Sequence, residues 1–261
     1  MARKIDLSQL TFCIPVRIDS DYRLRNLLTM LSFYSRHIRA NYIILEADAK
    51  QRIKDLPPVK GLCYKFISDT ARIFHRTRYI NQMLRNTTTP FAAIWDTDAI
   101  APISQLKQAY AALQKNESTM IYPYDGRFCQ VDYFHSALFC RNKQIKILTS
   151  DYMPRAFIAG YYSVGGAFLV NVQAYKSYGW ENEHFIGWGP EDVERYHRME
   201  ILGERPSRIN GMLYHLFHTR GVNSGDFDPN LAVSTKREYI HVCSMMPDEL
   251  RAYMNTWEWI K

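Results

Sequence analysis

The N-terminal part of the chain alternates between two kinds of hydrophobic pattern. Short β-prone runs lie at Leu10–Val16, Tyr42–Leu45, Leu62–Ile67 and Phe91–Trp95. Between them, apolar residues recur at helical spacing over Tyr22–Ile38 and Ile73–Leu84. The resulting order, β-α-β-β-α-β, predicts an α/β fold with a mostly parallel central sheet flanked by helices.

The rest of the chain continues this pattern without an internal repeat or a low-complexity linker. Helices are predicted at Ile103–Leu113, Pro190–Leu202 and Pro247–Ile260, and strands at Met120–Tyr124, Ala167–Val170 and Leu213–Phe217. We therefore expect residues 1–261 to form a single domain.

The composition is that of a folded protein with a basic surface. Of the 261 residues, 47% are hydrophobic and 23% are charged, which is enough for one substantial core and unlike a disordered chain. The formal net charge of +7 suits a phosphorylated or polyanionic ligand, or an anionic membrane surface. Because the basic residues are not concentrated in a tail, we expect no nucleic-acid partner.

The cysteines are scattered through the chain, at Cys13, Cys63, Cys129, Cys140 and Cys243. An odd number without a C-x-x-C motif favours reduced thiols in a cytoplasmic protein over a disulfide framework. The first residues do not resemble a signal peptide, and no apolar stretch approaches the roughly 20 residues that cross a bilayer. We expect a cytoplasmic protein, attached to the inner face of the membrane only peripherally if at all.

The terminal segment, residues 247–261, places apolar side chains at helical spacing, and two interpretations of it stay open. The ordinary one is a helix packed on the domain. The other is an interfacial membrane helix, with Trp257 and Trp259 near the lipid headgroups.

Residues 94–98 read IWDTD, a pair of acids directly after an apolar run. In parallel α/β sheets, ligands bind beyond the carboxyl ends of the strands. On an extended segment the carboxylates of Asp96 and Asp98 would point the same way and could face one hard cation such as Mn²⁺ or Mg²⁺. The alternative is a simple turn with a helix cap. The buried run before the acids favours the metal site.

Residues 185–195 read FIGWGPEDVER and predict the start of a helix. Pro190 suits the first helical position, which puts Glu191 and Asp192 in the first turn, where the helix dipole favours their ionised form. An ionised carboxylate can serve as a general base. The glycines around Trp188 predict a loop with an exposed aromatic ring for stacking on a sugar, and a buried core tryptophan is the alternative.

Residues 214–220 read YHLFHTR and carry two histidines three positions apart. On a strand, His215 and His218 would face opposite sides, so a bend is needed before both reach one metal ion. We expect one of them to be a ligand rather than both. The alternative for each is a structural histidine.

The order of these pieces resembles a known family. The motifs are IPVR, FHRTRYIN, WDTD, VGGAFLV, FIGWGPED and HLFHTR. Together they resemble the beta-1,4-galactosyltransferase family and its bacterial relatives, including the galactosyltransferase half of chondroitin-type polymerases. The resemblance runs from about Thr11 to Arg220, and GWG-x-ED is its most specific motif. It implies a GT-A fold, a UDP-sugar donor, Mn²⁺ or Mg²⁺ as cofactor, and inversion at the anomeric carbon.

The resemblance also implies roles for the residues that match its motifs. The residues that match contacts of the nucleotide are Pro15, Val16, Arg17, Phe74 and Arg76. Asp98 and His218 match metal ligands, with Asp96 in a supporting role. His215 falls where some relatives place a methionine that also touches the metal.

The remaining matches concern the sugar and the chemistry. Gly166 matches a glycine near the sugar, and Trp188 a tryptophan that contacts donor and acceptor. Glu191 matches a contact of a donor or acceptor hydroxyl, and Asp192 the catalytic base.

Two departures from the family pattern affect these expectations. The family usually has a second arginine two residues after the position of Arg17, and this chain has Asp19 there. One phosphate or base contact is therefore missing from its usual place. Pro190 replaces a glycine and stiffens a loop that relatives move on donor binding.

The function expected is that of an inverting, metal-dependent glycosyltransferase. It would move galactose or N-acetylgalactosamine from a UDP-sugar to a glycan acceptor, in bacterial surface polysaccharide synthesis. Residues 1–100 would form a nucleotide-binding half, residues 101–220 a donor and acceptor half, and residues 221–261 a C-terminal extension.

Two other functions are weighed against this one. A sugar nucleotidyltransferase usually has a glycine-rich phosphate loop near the N-terminus, and Ile14–Asp19 contains no glycine. A non-catalytic carbohydrate- or nucleotide-binding module would need exposed aromatic rings but no Asp192. The oligomeric state does not follow from the sequence.

Overall fold

The computed structural model describes residues 3–221 and 228–261. The strands are β1 (Ile5–Val16), β2 (Ile38–Asp48), β3 (Leu62–Ser68), β4 (Phe91–Trp95), β5 (Ala99–Ile100), β6 (Met120–Tyr122), β7 (Phe128–Gln130), β8 (Ala156–Phe157), β9 (Ala167–Asn171), β10 (Ser207–Arg208) and β11 (Leu213–His215). The helices are α1 (Asp21–His37), α2 (Arg76–Asn86), α3 (Ile103–Gln114), α4 (Tyr133–Asn142), α5 (Val172–Ser177), α6 (Glu191–Ile201), α7 (Pro229–Cys243) and α8 (Pro247–Met254).

A large sheet and a small sheet organise the described part of the chain. The large sheet has the strand order β10-β6-β9-β4-β1-β2-β3, and the small one β5-β11-β7-β8. In the large sheet β1 runs parallel to β2 and β4, whereas β9 is antiparallel to both β4 and β6. The predicted α/β class with a mostly parallel central sheet is confirmed.

Strand β4 (FAAIW) is buried along its whole length. It lies between β1 and β9 near the centre of the large sheet. A strand that is covered on both faces is apolar at every position instead of alternating between apolar and polar residues. The continuous apolar run therefore predicted this strand correctly. Its end delivers Asp96 to the carboxyl edge of the sheet, where ligands bind in such folds.

Helix α1 follows β1 and begins with a side-chain cap. The Ser20 hydroxyl accepts a hydrogen bond from the backbone N–H of Arg23, and Asp21 lies in the first turn. Leu27, Met30 and Leu31 are buried against the sheet. This helix end also faces the carboxyl edge, so it contributes side chains to the site.

Three element boundaries differ from the prediction near the site. Helix α2 begins at Arg76 instead of Ile73, because His75 has non-helical backbone angles and its Nε2 bonds the carbonyl of Glu183. Strand β11 ends at His215, two residues before the predicted end. Pro190 is the N-cap residue of α6 and not its first helical residue.

The C-terminal segment is folded against the domain. Helix α8 ends at Met254 instead of Ile260, and α7 was not predicted. Trp257 is 1% exposed, clusters with Val242 and Leu250, and stacks on Trp259 with 4.9 Å between ring centroids. Trp257 is therefore a packed residue, and the interfacial interpretation does not describe it in this structure.

Within the described ranges, no helix is both long and apolar enough to cross a membrane. The predicted division of the domain into two halves and a C-terminal extension stays a prediction.

Candidate functional site

Asp98, His215 and His218 lie together at the carboxyl edge of the large sheet. Their ligand atoms all fall within 4.8 Å of one another. Asp98 Oδ1 is 3.5 Å from His215 Nε2, and Asp98 Oδ2 is 3.3 Å from His218 Nε2. One carboxylate and two imidazoles form a donor set that suits a divalent transition metal.

The small sheet brings these residues together. His215 pairs with Ala99 in the antiparallel pair of β11 and β5, directly after the IWDTD segment. The backbone N–H of Leu216 then donates to the carbonyl of Asp98 at 2.8 Å, and the chain leaves the strand. This is the bend that the sequence analysis required before both histidines could reach one metal ion, and it lets both of them face Asp98. That one of them rather than both binds the metal stays a prediction.

The protonation of His218 fits a cation beside Asp98. His218 Nδ1 lies 2.8 Å from the carbonyl of Thr219, which can only accept, so Nδ1 carries the hydrogen. In the neutral ring Nε2 then turns a lone pair towards the Asp98 carboxylate. Two atoms that each present a lone pair repel one another unless a proton or a metal ion lies between them.

Charges around Asp98 keep it ionised. Burial alone would raise the pKa of Asp98, but its electrostatic interactions with His215, Arg23 and His218 outweigh burial, and the pKa lies below its usual value. Burial lowers the pKa of His215, which favours the neutral imidazole that binds metals. His215 Nδ1 is buried without a hydrogen-bond partner among the described residues.

Asp96 does not share the cluster of Asp98. Instead of continuing extended, the chain turns at residues 97–98, and the backbone N–H of Ala99 donates to the carbonyl of Asp96. The Asp96 carboxylate accepts a hydrogen bond of 2.7 Å from Arg76 Nη2. The Asp96 carboxylate therefore faces Arg76 while that of Asp98 faces the two histidines, and a supporting position for Asp96 fits this geometry.

Arg76 links Asp96 to Asp192 across the cleft. Its Nη1 lies 4.0 Å from Asp192 Oδ1, and no described residue accepts a hydrogen bond from this nitrogen although it is buried. Arg76 is thus a cation with one donor pointing between two acids. Such a donor can bind an anionic group of a ligand.

The first turn of α6 presents Glu191 and Asp192, as predicted. Asp192 Oδ1 accepts a hydrogen bond of 2.6 Å from Arg195 Nη2, one turn further along the helix. Arg195 is fully buried and also forms a bidentate pair with Glu181. This buried network fixes the Asp192 carboxylate in orientation.

Glu191 differs from the expectation that the helix dipole keeps it ionised. The residue is 7% exposed, and its Oε2 is buried without a hydrogen-bond partner among the described residues. Burial raises the pKa of Glu191 to about 8, and the negative charge of Asp192 acts in the same direction. Desolvation outweighs the dipole here, so Glu191 is mostly protonated at pH 7.

Two glycines let the start of β9 approach these acids. A Cβ atom on Gly165 would lie 2.6 Å from Asp192 Oδ2, and Gly166 has a φ of +81°, which disfavours other residues. The carbonyl of Gly166 accepts from the N–H of Asp96. The motifs gave no role to Gly165 or Arg195. Two sequence signals could have indicated their roles. One is the pair of glycines directly before a strand, and the other is an arginine three residues after an acid on the same helix.

The predicted nucleotide-contacting residues lie on β1 and beside α2. Pro15 and Val16 end β1 in register with β2, and Val16 is buried. The Arg17 guanidinium bonds the carbonyls of Ala47 and Ala71 and the Asp69 carboxylate. It therefore braces the loop before α2, and it lies 5.4 Å from the Phe74 ring centroid.

Trp188 lies in the loop before α6 and is 51% exposed. The alternative of a buried core tryptophan is excluded. Its indole ring is available for stacking on a ligand.

The arrangement as a whole joins a cation site to a fixed carboxylate. Asp98 and Asp96 are two residues apart, Asp96 contacts Arg76, and Arg76 approaches Asp192. All of them lie at the carboxyl edge of the sheet. The chemistry available is neutralisation of an anionic group at one end and proton abstraction at the other.

The fold is the GT-A fold, as two solved structures show. The catalytic domain of Drosophila beta1,4-galactosyltransferase 7, in a complex with xylobiose, matches it with a TM-score of 0.55 and 15% identity. The match covers 94% of this chain and 83% of that chain. The GT-A fold expected from the resemblance is confirmed.

A second solved structure is a mutant of the same Drosophila protein in complex with manganese, UDP-Gal and xylobiose. It matches with a TM-score of 0.53 and 14% identity over 88% of this chain and 79% of that chain. The sequence itself matches no protein-family model and no curated protein.

Proposed function

We propose that this protein is an inverting, metal-dependent glycosyltransferase that moves galactose from UDP-galactose to a glycan acceptor. N-acetylgalactosamine is the alternative to galactose as the donor sugar. The observation that carries the proposal is that Arg76 lies between Asp96 and Asp192 at the ligand-binding edge of a GT-A sheet, with the Asp98 cluster two residues further along the chain from Asp96. A cation site and a fixed carboxylate are the two parts that this reaction needs.

Asp98, His215 and His218 would hold Mn²⁺ or Mg²⁺. The lone pairs of His218 Nε2 and of the Asp98 carboxylate face each other, which supports this fit. A ligand set with two imidazoles favours Mn²⁺ over Mg²⁺. When bound, the ion supplies neutralisation of the diphosphate as UDP leaves.

Asp192 acts as the general base. Its carboxylate takes the proton from the acceptor hydroxyl as that oxygen attacks the anomeric carbon, in a transition state with oxocarbenium character. The hydrogen bond from Arg195 Nη2 fixes the orientation of this carboxylate. The buried Nη1 of Arg76, which has no hydrogen-bond partner among the described residues, would donate to the leaving diphosphate.

Glu191 and Trp188 position the sugars. A protonated Glu191 donates a hydrogen bond to a sugar hydroxyl, which an ionised carboxylate cannot do. The exposed ring of Trp188 stacks on a pyranose face. The side of the site that faces the nucleotide is formed by Val16, Arg17 and Phe74.

The ligands of the Drosophila structures support the choice of donor and acceptor class. Those structures are complexes with xylobiose, and one also contains manganese and UDP-Gal. For this chain we propose a glycan acceptor in bacterial surface polysaccharide synthesis. Work at the inner face of the membrane, with peripheral contact, belongs to the same proposal.

The deciding experiment is calorimetric titration of UDP with and without Mn²⁺, followed by UDP release from a panel of UDP-sugars. We expect UDP binding that depends on the metal, and fastest release from UDP-galactose or UDP-N-acetylgalactosamine. Absence of UDP binding under both conditions would refute the proposal. Binding without any transfer or hydrolysis would instead favour a non-catalytic nucleotide-binding module.

A further inference from the structure

Arg23 lies against the cation site although the motifs gave it no role. Its Nη1 donates to Asp98 Oδ2 at 3.4 Å, and its Nε donates to Asp19 Oδ1 at 2.9 Å. Asp98 Oδ2 is also the oxygen that faces His218 Nε2. A guanidinium therefore occupies a lone pair on the same oxygen that a divalent ion would use.

The position of Arg23 is electrostatically unusual. It lies in the first turn of α1, where the helix dipole disfavours a positive charge. Burial also opposes the charge, and the guanidinium is held there by its contacts with the carboxylates of Asp98 and Asp19. The two carboxylates thus hold a cation at a place where the backbone alone would exclude it.

Asp19 is the departure from the family pattern noted in the sequence. It stands where a second arginine is usual, and it holds an arginine four residues further on, one helical turn along the chain. Its other oxygen lies beside Gly221, in the segment that follows His218. The pair Asp19–Arg23 therefore links the segment between β1 and α1 to the Asp98 carboxylate.

We propose that Arg23 is a built-in counter-ion of Asp98 that a divalent metal displaces, and that the displaced guanidinium then binds the diphosphate of the nucleotide. Asp19 tethers it during this exchange. Metal binding and nucleotide binding are coupled in this way, because the metal frees the donor that the phosphates need. The inference rests on the proposed function of the site.

Two affinities test the proposal, measured on Arg23→Gln and on Arg36→Gln as a matched control. Arg36 is an exposed arginine in the last turn of the same helix. For Arg23→Gln we expect Mn²⁺ to bind the nucleotide-free protein about tenfold more tightly, because its competitor is gone. With saturating Mn²⁺ we expect UDP to bind about tenfold more weakly, because a charge-assisted hydrogen bond is lost.

Electron paramagnetic resonance of Mn²⁺ gives the first affinity and calorimetry gives the second. Arg23→Lys keeps the charge in the first turn and covers the case in which the glutamine variant does not fold. A lysine should give UDP affinity between wild type and Arg23→Gln. Opposite changes in the two affinities support the exchange.

Affinities of Arg23→Gln equal to those of Arg36→Gln would overturn this inference and leave the transferase proposal standing. Loss of Mn²⁺ affinity in Arg23→Gln would also overturn it, since Arg23 would then support the metal ligands. Failure of the wild-type protein to bind UDP would overturn both.

Discussion

The carboxylate of Asp192 is held by the fully buried guanidinium of Arg195, with 2.6 Å between Oδ1 and Nη2. The same guanidinium forms a bidentate pair with Glu181, which is 1% exposed. One arginine therefore serves two acids, one inside the core and one at the edge of the cleft. The orientation of the proposed base is set by an ion pair within the core.

Replacing Asp192 by asparagine should separate chemistry from binding. Asparagine keeps an oxygen that can accept from Arg195 but cannot take a proton from an acceptor. We expect Asp192→Asn to lower the transfer rate by about 10²–10⁴-fold. UDP affinity in the presence of Mn²⁺ should stay near that of wild type, as measured by calorimetry. An equal loss of transfer and UDP binding would contradict the role of base.

Replacing Arg195 by methionine should destabilise the protein strongly. The change leaves Glu181 as a buried charge without its cationic partner. It also removes the contact with the Phe168 ring, whose centroid lies 4.1 Å from Cζ of Arg195. Breaking one partner of a buried ion pair costs about 3–5 kcal/mol. Urea unfolding measures this directly.

The double variant Glu181→Gln with Arg195→Met is the control for this charge effect. Because no buried carboxylate is then left unpaired at position 181, it should unfold at higher urea concentration than Arg195→Met alone. If both variants lose the same stability, the ion pair is not the cause.

Much of the fold could be predicted from the sequence because its elements follow from the local spacing of apolar residues. The β-α-β-β-α-β opening follows from the alternation of apolar runs with helical spacing, and β4 was predicted to the residue. Helix α7 was missed because, of its fifteen residues, the described buried ones are only Thr235 and Val242. A helix with so little buried surface gives a weak periodic signal.

The geometry of the site depended on contacts that are distant in sequence. The turn after Asp96, which separates the two carboxylates, is held by pairing with Gly166 and by the Trp95 indole bonding the carbonyl of Ala99. The bend after His215 is set by β5. Neither contact has a local sequence signal, so the sequence could name the proposed metal ligands but not their arrangement.

Removing the Asp98 carboxylate should abolish metal-dependent binding. We expect Asp98→Ala to weaken Mn²⁺ binding by roughly 100-fold or more, since even indirect changes around metal ligands cost 10–100-fold. UDP affinity should then become insensitive to Mn²⁺ and to its removal by a chelator. Asp151→Ala, at a fully exposed carboxylate, is the matched control and should bind as wild type does. Unchanged Mn²⁺ affinity in Asp98→Ala would refute the assignment as ligand.

Glu191 should make stability depend on pH. Its pKa is raised from 4.5 to about 8, so between these values the folded protein holds a proton that the unfolded chain has released. The stability linked to this proton is complete below about pH 4.5 and is lost as pH rises towards 8. The slope is about 1.4 kcal/mol per pH unit at most.

Glutamine at position 191 cannot ionise and should remove this dependence. We therefore expect the free energy of unfolding of Glu191→Gln, relative to wild type, to increase by roughly 3–4 kcal/mol between pH 5 and pH 8. Urea unfolding at both pH values gives the comparison. A difference between the two proteins that does not change with pH would contradict the raised pKa.

A methyl group at Gly165 should displace the base without unfolding the protein. Its Cβ would lie 2.6 Å from Asp192 Oδ2, and that oxygen belongs to a side chain, which can rotate away. Misplacing a reacting group by about 1 Å costs about 10²-fold in rate. We expect Gly165→Ala to lower transfer by that factor while UDP affinity and thermal stability stay near wild type.

Gly166→Ala distinguishes displacement of the base from general damage to this loop. Its φ of +81° disfavours alanine, and the new Cβ would meet the Phe128 ring at 2.6 Å. This neighbouring change should lower the melting temperature as well as the activity. Because the two glycines are adjacent, loss of stability in both variants would mean that the segment tolerates no side chain. Loss of activity alone in Gly165→Ala would identify close approach to Asp192 as the reason for glycine at that position.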